Sequence, residues 1–374
     1  MKKAKYFFSL VAIFSMVIFA GCSDDDTGDL TDNFDRQAML TNWADNIIIP
    51  GYERYVSDLE ALSAEVETFT STPTLDNLNA LRNAWLEANL AWQKVAMFEI
   101  GKAESITLIN YTNIYPTNTE DMIKTIESGD YDLSSVNKQD EQGFPAIEYL
   151  IYGVRDTDQA IIDLYSQEMV NHPYKIFLKD LTQRLETLAK SVHDDWENGY
   201  RDTFVNNDGS EATASVNKLV NDYIFYYEKH LRAGKIGIPA GVFTGSKSSE
   251  KVEGLYSGKS KALFMAGLDA MQAFFNGTSL DSNLPVEGEG LKSYLDFVQE
   301  ISDGEDLGSL INAQFELARD QAELLSDNFS AQVENDNSLM LQTYDELQKN
   351  VVNMKVDMLQ ALNIRVDYVD ADGD

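Results

Sequence analysis

Apolar residues recur in steps of three and four along most of the chain, the spacing of amphipathic helices that each bury one face. Three stripes of this kind are the clearest, and each predicts a long helix. They contain Leu78, Leu81, Trp85, Ala88, Trp92 and Val95; Phe177, Leu181, Leu185, Leu188, Val192 and Trp196; and Tyr344, Leu347, Val351, Met354, Met358 and Ala361. Further helices are expected at 34–49, 52–69, 260–276, 289–301 and 306–326, with a kink at Pro50. The pattern therefore predicts an all-α protein.

The chain contains 374 residues, more than one ordinary core accommodates. Its clearest break is Asn206-Asn207-Asp208-Gly209-Ser210, which divides two runs of about four helices. We therefore expect two antiparallel helical bundles, at 34–207 and 208–374. Identity between these halves is too low to establish a repeat, so an ancient duplication is left open. Two further segments are expected to be non-helical: 232–241, which is rich in glycine, and a strand-like tail at 365–374.

The N-terminus has the features of a bacterial lipoprotein. Three lysines precede an apolar run at 6–20, too short to span a membrane and typical of a signal peptide, here residues 1–21. The run ends at Cys22 in a sequence that resembles a lipobox, which implies cleavage before Cys22 and its lipidation. Residues 22–33 then form an acidic tether similar to the export signal of surface lipoproteins of Bacteroidetes. The alternatives are an uncleaved anchor and an ordinary solvated linker.

Charge and composition exclude several functions. The formal net charge is −33, and it becomes −36 once residues 1–21 are removed, so binding to nucleic acid or to anionic lipid is excluded. A single cysteine excludes an intrachain disulfide and a thiolate metal cluster. No H-E-x-x-H pair or G-x-S-x-G elbow occurs, and the Gly254–Ser260 segment is one residue short of a phosphate loop. The acidic tail at 370–374 has the spacing of half a calcium loop and ends before the required Glu.

The segment from Gly143 to Gly153 is short and mostly apolar, with one carboxylate, Glu148. It resembles the G-x-H-x-x-E signature of the imelysin family, with Gly143 and Glu148 in place and Pro145 where the family has His. The turn at Tyr115-Pro116 and the Gly-rich segment 232–241 are also similar to members of this family. The resemblance covers nearly all of residues 36–365. It implies an all-helical fold of two bundle-like domains and a role in acquiring iron or haem.

Carboxylates on buried stretches need partners, and this requirement suggests a candidate site. Glu99 continues the tryptophan stripe, and Glu148 lies among apolar neighbours. Arg232 and Lys235 supply the nearest obvious cations, and the family resemblance places Glu148 near the contact between the two domains. We therefore expect a polar cluster there, drawn from Glu99, Glu148, Arg232, Lys235 and Tyr115. The alternative is that these residues only clamp the bundles together.

Two other groups contain residue types that bind metals. Tyr226, Tyr227, Glu228 and His230 include the types that hold ferric iron, but consecutive helical residues point in different directions, so packing is favoured. His193 and Glu197 share a helical face, which is common on acidic helices.

Together these observations favour a lipid-anchored binding protein on the outer membrane, facing outward, without catalytic activity. Iron or haem is its expected ligand and an outer-membrane iron or haem transporter its expected partner, both by family resemblance. The alternatives are a metallopeptidase of the imelysin type and a structural protein of the cell surface. The sequence does not identify the ligand.

Overall fold

The computed structural model describes residues 33–167, 172–280, 285–302 and 306–368. The signal peptide, Cys22 and the tether to residue 32 lie outside these ranges. From Phe34 onward the chain forms one compact unit. The helices are α1 at 36–71, α2 at Leu75–Val95, α3 at Lys102–Ile106, α4 at Leu108–Thr112, α5 at Thr119–Ser128, α6 at 143–153, α7 at Asp158–Tyr165, α8 at 173–205, α9 at 215–240, α10 at Ser260–Phe275, α11 at Leu291–Ser302, α12 at Leu307–Glu323, α13 at Phe329–Asn335 and α14 at 337–361.

The described residues contain no sheet, and their one β-bridge joins Thr278 to Glu287. Short 3₁₀ turns occur at Val136–Glu141 and Ser249–Lys251. The prediction of an all-α fold is therefore confirmed. Among the described helices, none has the combination of length and apolarity that crossing a bilayer requires.

Several long helices contain π-helical turns, and one of them explains why Pro50 does not end α1. The Ile49 N–H bonds to the carbonyl of Ala44, five residues back, so the wider turn at Trp43–Ile48 leads directly into Ile49–Ser71. The chain therefore remains helical through Pro50, and the expected irregularity takes the form of a π-helical turn just before it. The other π-helical segments are Tyr149–Gly153 in α6, Tyr226–Gly237 in α9 and Asn353–Met358 in α14. Helix α8 is kinked within Trp196–Tyr200, because Asn198 and Gly199 leave the helical region of φ and ψ.

The predicted stripes form the core. All six residues of the α2 stripe, from Leu78 to Val95, are buried. Helix α2 packs against α1 on one side and α10 on the other, while α12 and α14 pack together in the second half of the chain. Phe274 of α10 contacts the rings of Trp43, Phe98 and Tyr223, at centroid distances of 4.7, 5.4 and 5.4 Å. One continuous core therefore includes residues from both halves, and the division near residue 208 stays a prediction.

Two local predictions were wrong. The Gly-rich segment 232–241 remains helical through Ala240 and ends at Gly241, whose φ is +79°. Two of its glycines allow close packing. A Cβ at Gly237 would lie 2.8 Å from the ring of Tyr344. The described part of the tail, 365–368, is not a strand. Side-chain bonds hold it instead: Asn221 donates to the Arg365 carbonyl and accepts from the Asp367 N–H.

Candidate functional site

Lys235 of α9 and Glu253 of the loop before α10 form a buried ion pair at the centre of a polar cluster. The Lys235 ammonium donates to Glu253 Oε2 and, at 2.8 Å, to Gln93 Oε1 of α2. The exposed fractions of Lys235 and Glu253 are both 3%, and Gln93 is fully buried. Burial lowers the pKa of Lys235, and the Glu253 carboxylate opposes that shift.

Amide groups hold the other oxygen of Glu253. Its Oε1 accepts from Gln93 Nε2 at 2.8 Å and from Asn113 Nδ2 at 2.6 Å. Gln93 Nε2 also donates to Asn89 Oδ1, one helical turn earlier on α2. Four segments thus meet at one carboxylate: α2, the loop after α4, α9 and the loop that connects α9 to α10.

Tyr115, Tyr226 and His230 form an aromatic wall beside this pair. The rings of Tyr226 and His230 stack with centroids 5.6 Å apart. A Cβ at Gly234 would lie 3.2 Å from the Tyr115 hydroxyl, so Tyr115 lies over the backbone next to Lys235. Tyr226 is buried, whereas Tyr115 and His230 are partly exposed.

The electrostatics of the wall follow from burial. Burial and the Glu253 carboxylate raise the pKa of both Tyr115 and Tyr226. Burial and the nearby Lys235 ammonium lower the pKa of His230 to about 4, so its imidazole is neutral at pH 7. No other described residue forms a hydrogen bond with any of these three side chains. Their polar atoms are therefore available to a ligand.

Glu148 lies beside the cluster and is held by the same loop that carries Glu253. Its Oε1 accepts from the Ser257 N–H at 2.7 Å, and the side chain is 2% exposed. Burial raises the pKa of Glu148 to about 7; bonds from Ser257 lower it and the Glu253 carboxylate raises it further. Pro145, in place of the signature His, is buried within α6.

The described contacts of Arg232 are with Glu228 and α14, outside the Lys235–Glu253 cluster. Its Nη2 lies 3.7 Å from Glu228 Oε1, and its guanidinium donates to Tyr344 and Gln348 of α14. Glu228 is fully buried and also pairs with Lys355 at 3.0 Å. Arg232 and Lys235 are three residues apart on α9 and reach different partners: Arg232 binds α14, and Lys235 binds α2 and the Glu253 loop. The expected grouping therefore separates into two centres.

Glu99 lies in a third environment. It is partly buried, and desolvation raises its pKa to about 8; the Ile109 and Leu108 N–H groups lower it, while Asp222 and Glu104 raise it. Among the five predicted site residues, the structure thus joins Lys235 and Tyr115 in the cluster, places Glu148 beside it, and shows other neighbours for Arg232 and Glu99.

Sequence reasoning missed Gln93, Asn113 and Glu253. Gln93 and Asn89 had a detectable signal, since both are polar residues one turn apart on a helix with two buried tryptophans. Tyr226 and His230 had been grouped with Tyr227 and Glu228. The structure separates them, because Tyr226 and His230 face the cluster while Glu228 pairs with Arg232 and Lys355.

A second group with metal-binding residue types lies on the surface of α8. Within the described ranges, His193, Asp194 and Glu197 place one ligand atom each within 4.8 Å of one another. Asp194 and Glu197 are exposed, and His193 Nδ1 is 3.8 Å from Glu197 Oε2. Exposed acidic groups of this kind are common without a metal, so the Lys235–Glu253 cluster is the stronger candidate.

Comparison with known proteins agrees with this architecture. The chain is 26% identical over 158 residues to iron-regulated protein A of Synechococcus elongatus, a match that covers 41% of either protein. An imelysin-like protein from Psychrobacter arcticum has a similar fold (TM-score 0.67, 16% identity, 89% of this chain and 97% of that one). So does a proposed iron-regulated protein A precursor from Parabacteroides distasonis (TM-score 0.69, 15% identity, 86% and 95%). The Imelysin family model matches residues 48–354, and the chain therefore belongs to the imelysin family.

Proposed function

We propose that this protein is a non-catalytic binding protein that takes up iron or haem at the outer surface of the cell. The observation that carries the proposal is the cluster around Lys235 and Glu253. Its charges balance internally, and beside it lie two phenols and an imidazole that form no hydrogen bond with another described residue. Oxygen and imidazole ligands are suited to iron. The relation to iron-regulated protein A supports the same context.

The cell-surface part of the proposal rests on the N-terminal sequence. Lipidation at Cys22 would hold the protein on the outer membrane, and the acidic tether would allow the folded body to face outward. A net charge of −36 for the mature chain favours a soluble body that does not adhere to anionic lipid. An outer-membrane iron or haem transporter is the partner that this placement suggests.

The experiment that tests this function measures binding and turnover on the same preparation. Mature protein would be titrated with haem and with ferric nitrilotriacetate, and incubated in parallel with unfolded protein substrates. The proposal predicts saturable binding of iron or haem and no cleavage. Cleavage that a chelator abolishes, without binding of either ligand, would contradict it.

A metallopeptidase is the second candidate, because the group His193, Asp194 and Glu197 could hold a metal ion. A catalytic zinc ion needs about three protein ligands and an open position, which an exposed group of this kind provides. The peptidase hypothesis predicts chelator-sensitive cleavage that His193→Ala removes. The binding hypothesis predicts that this substitution changes neither iron nor haem binding, which makes His193→Ala a sharp discriminator. A structural role at the cell surface would give neither binding nor cleavage.

A further inference from the structure

We propose that Tyr115, Tyr226, His230 and Glu253 bind a ferric ion directly, and that the Lys235 ammonium occupies the cation position in the metal-free protein. This inference rests on the proposed function and specifies its ligand and donor set. The family signature does not supply these ligands, since Glu148 bonds to the Ser257 backbone and Pro145 replaces the signature His.

Glu253 is held as a ligating carboxylate would be. Two amides, from Gln93 and Asn113, fix Oε1 at 2.8 and 2.6 Å, and Oε2 is directed at the Lys235 ammonium. Carboxylates that bind metals are usually oriented by such outer hydrogen bonds. The position opposite Oε2 is therefore already a cation position, and its present occupant is a side chain on a flexible stem.

The other donors converge on the same place. The Tyr115 hydroxyl lies over Gly234, next to Lys235. A Cβ at Gly267 would lie 3.7 Å from the Tyr226 hydroxyl and 3.9 Å from Gln93 Oε1, the oxygen that accepts from Lys235. His230 stacks on Tyr226. Tyr115 thus lies beside the backbone that carries Lys235, and Tyr226, with His230 stacked on it, lies beside the Gln93 amide that accepts from the ammonium.

The chemistry balances without an oxidant or reductant. As two phenol oxygens bond to the ferric ion, their protons pass to solvent, because metal ligands must be deprotonated. Two phenolates and the Glu253 carboxylate then offset the three positive charges of the ion. The neutral imidazole adds a nitrogen ligand, and Lys235 withdraws from the carboxylate.

Substitution of Lys235 tests the proposal by whether it raises or lowers the affinity for ferric ion. If the ammonium competes with the metal ion, Lys235→Met should tighten the binding of ferric ion, supplied as the nitrilotriacetate complex, by about tenfold. Lys355→Met is the matched control, because it also removes a lysine from a buried carboxylate, while Glu228 keeps Lys229 and Arg232. The control should leave affinity unchanged. Weaker binding by Lys235→Met would overturn the proposal and indicate an anionic ligand that the lysine holds.

Tyr226 and its neighbour Tyr227 allow a spectroscopic test of the ligand set. The ferric wild type should show a visible charge-transfer band from phenolate to iron, and Tyr226→Phe should weaken both band and affinity. Tyr226 makes no hydrogen bond to a described residue, so the variant should fold, which helical circular dichroism would verify. Tyr227→Phe, whose hydroxyl bonds to the Leu347 carbonyl on α14, is the control that keeps the band.

The outcomes separate this inference from the proposed function. Iron or haem binding with no phenolate band, and with Tyr226→Phe equal to wild type, would overturn the ligand set and leave the binding function standing. Failure of the wild type to bind either ligand would overturn both.

Discussion

The Lys235 ammonium bonds to the carboxylate of Glu253, eighteen residues further along the chain, and both side chains are 3% exposed. Removing two charges from water costs several kcal/mol per ion, and their mutual attraction offsets this only when further hydrogen bonds are made. Gln93 and Asn113 supply those bonds. The net contribution of such a pair to the free energy of unfolding is therefore small, which agrees with a role in binding.

Breaking the pair from one side should destabilise the protein strongly. Glu253→Gln would leave the buried Lys235 without its carboxylate and should lower the free energy of unfolding by about 3 kcal/mol. The double variant Lys235→Met/Glu253→Gln should recover most of this loss, because neither charge then remains buried. Urea unfolding of the four proteins in the cycle measures both effects. Additive losses would show that the two residues do not form an energetic pair.

Glu148 should make stability depend on pH. Its pKa is about 7 in the folded protein against an ordinary value of 4.5, so between these values the folded state binds the proton that the unfolded state has released. Stability should therefore fall as pH rises from about 4.5 to about 7, by roughly 3 kcal/mol for this group.

Glu148→Gln should remove that part of the pH dependence and keep an acceptor for the Ser257 N–H. Unfolding at pH 5 and pH 8 compares variant with wild type, and the difference isolates Glu148 from Glu99 and Asp222, whose pKa values are also raised. Equal pH dependence in the two proteins would refute the assignment. Ligand binding measured on the same variant distinguishes a clamp from a site: lost stability with intact binding would mean a clamp.

Gly143 should tolerate no side chain. Its φ is +80°, and a Cβ there would lie 2.2 Å from the carbonyl oxygen of Thr112, a backbone atom. Gly143→Ala should therefore cost about 3 kcal/mol or more, or prevent folding. Gly129 is the matched control, since its φ is +64° and the space around it is open. Gly129→Ala should cost only about 1–2 kcal/mol, the strain of the left-handed conformation. Equal thermal stability of the two variants would contradict this reading.

Cys22 should be the membrane anchor. Three acyl chains, each stabilised by ~0.8 kcal/mol per buried CH₂, give stable attachment. Cys22→Ala should release a folded, soluble protein, which fractionation followed by circular dichroism would detect. A variant that stays with the membrane would show that the lipobox interpretation is wrong.

The helical fold could be predicted because apolar residues recur regularly, in steps of three and four, over long segments. Every residue of the α2 stripe is indeed buried. Irregular backbone was harder to predict. The π-helical turn before Pro50 depends on a hydrogen bond from Ile49 to Ala44 that spacing does not reveal. The glycines of α9 looked like helix breakers, whereas Gly234 and Gly237 allow Tyr115 and Tyr344 to approach.

The candidate site was only partly predictable, because its residues come from four separate segments. Burial of a charged group can be anticipated from apolar neighbours, as for Glu148. Glu253 lies in a glycine-rich loop whose sequence resembles a solvent-exposed turn, and only the fold brings that loop against Gln93. Arg232 and Lys235 looked interchangeable as partners until the path of α9 directed them to different helices.

The most direct test of the account is the iron and haem content of the protein purified from its own host, grown with limited iron. The account predicts iron or haem bound in stoichiometric amount to the wild type, and a clear loss of it in the Tyr226→Phe variant but not in Tyr227→Phe. Wild-type protein that carries neither iron nor haem, and that cleaves unfolded substrates in a chelator-sensitive way, would contradict it.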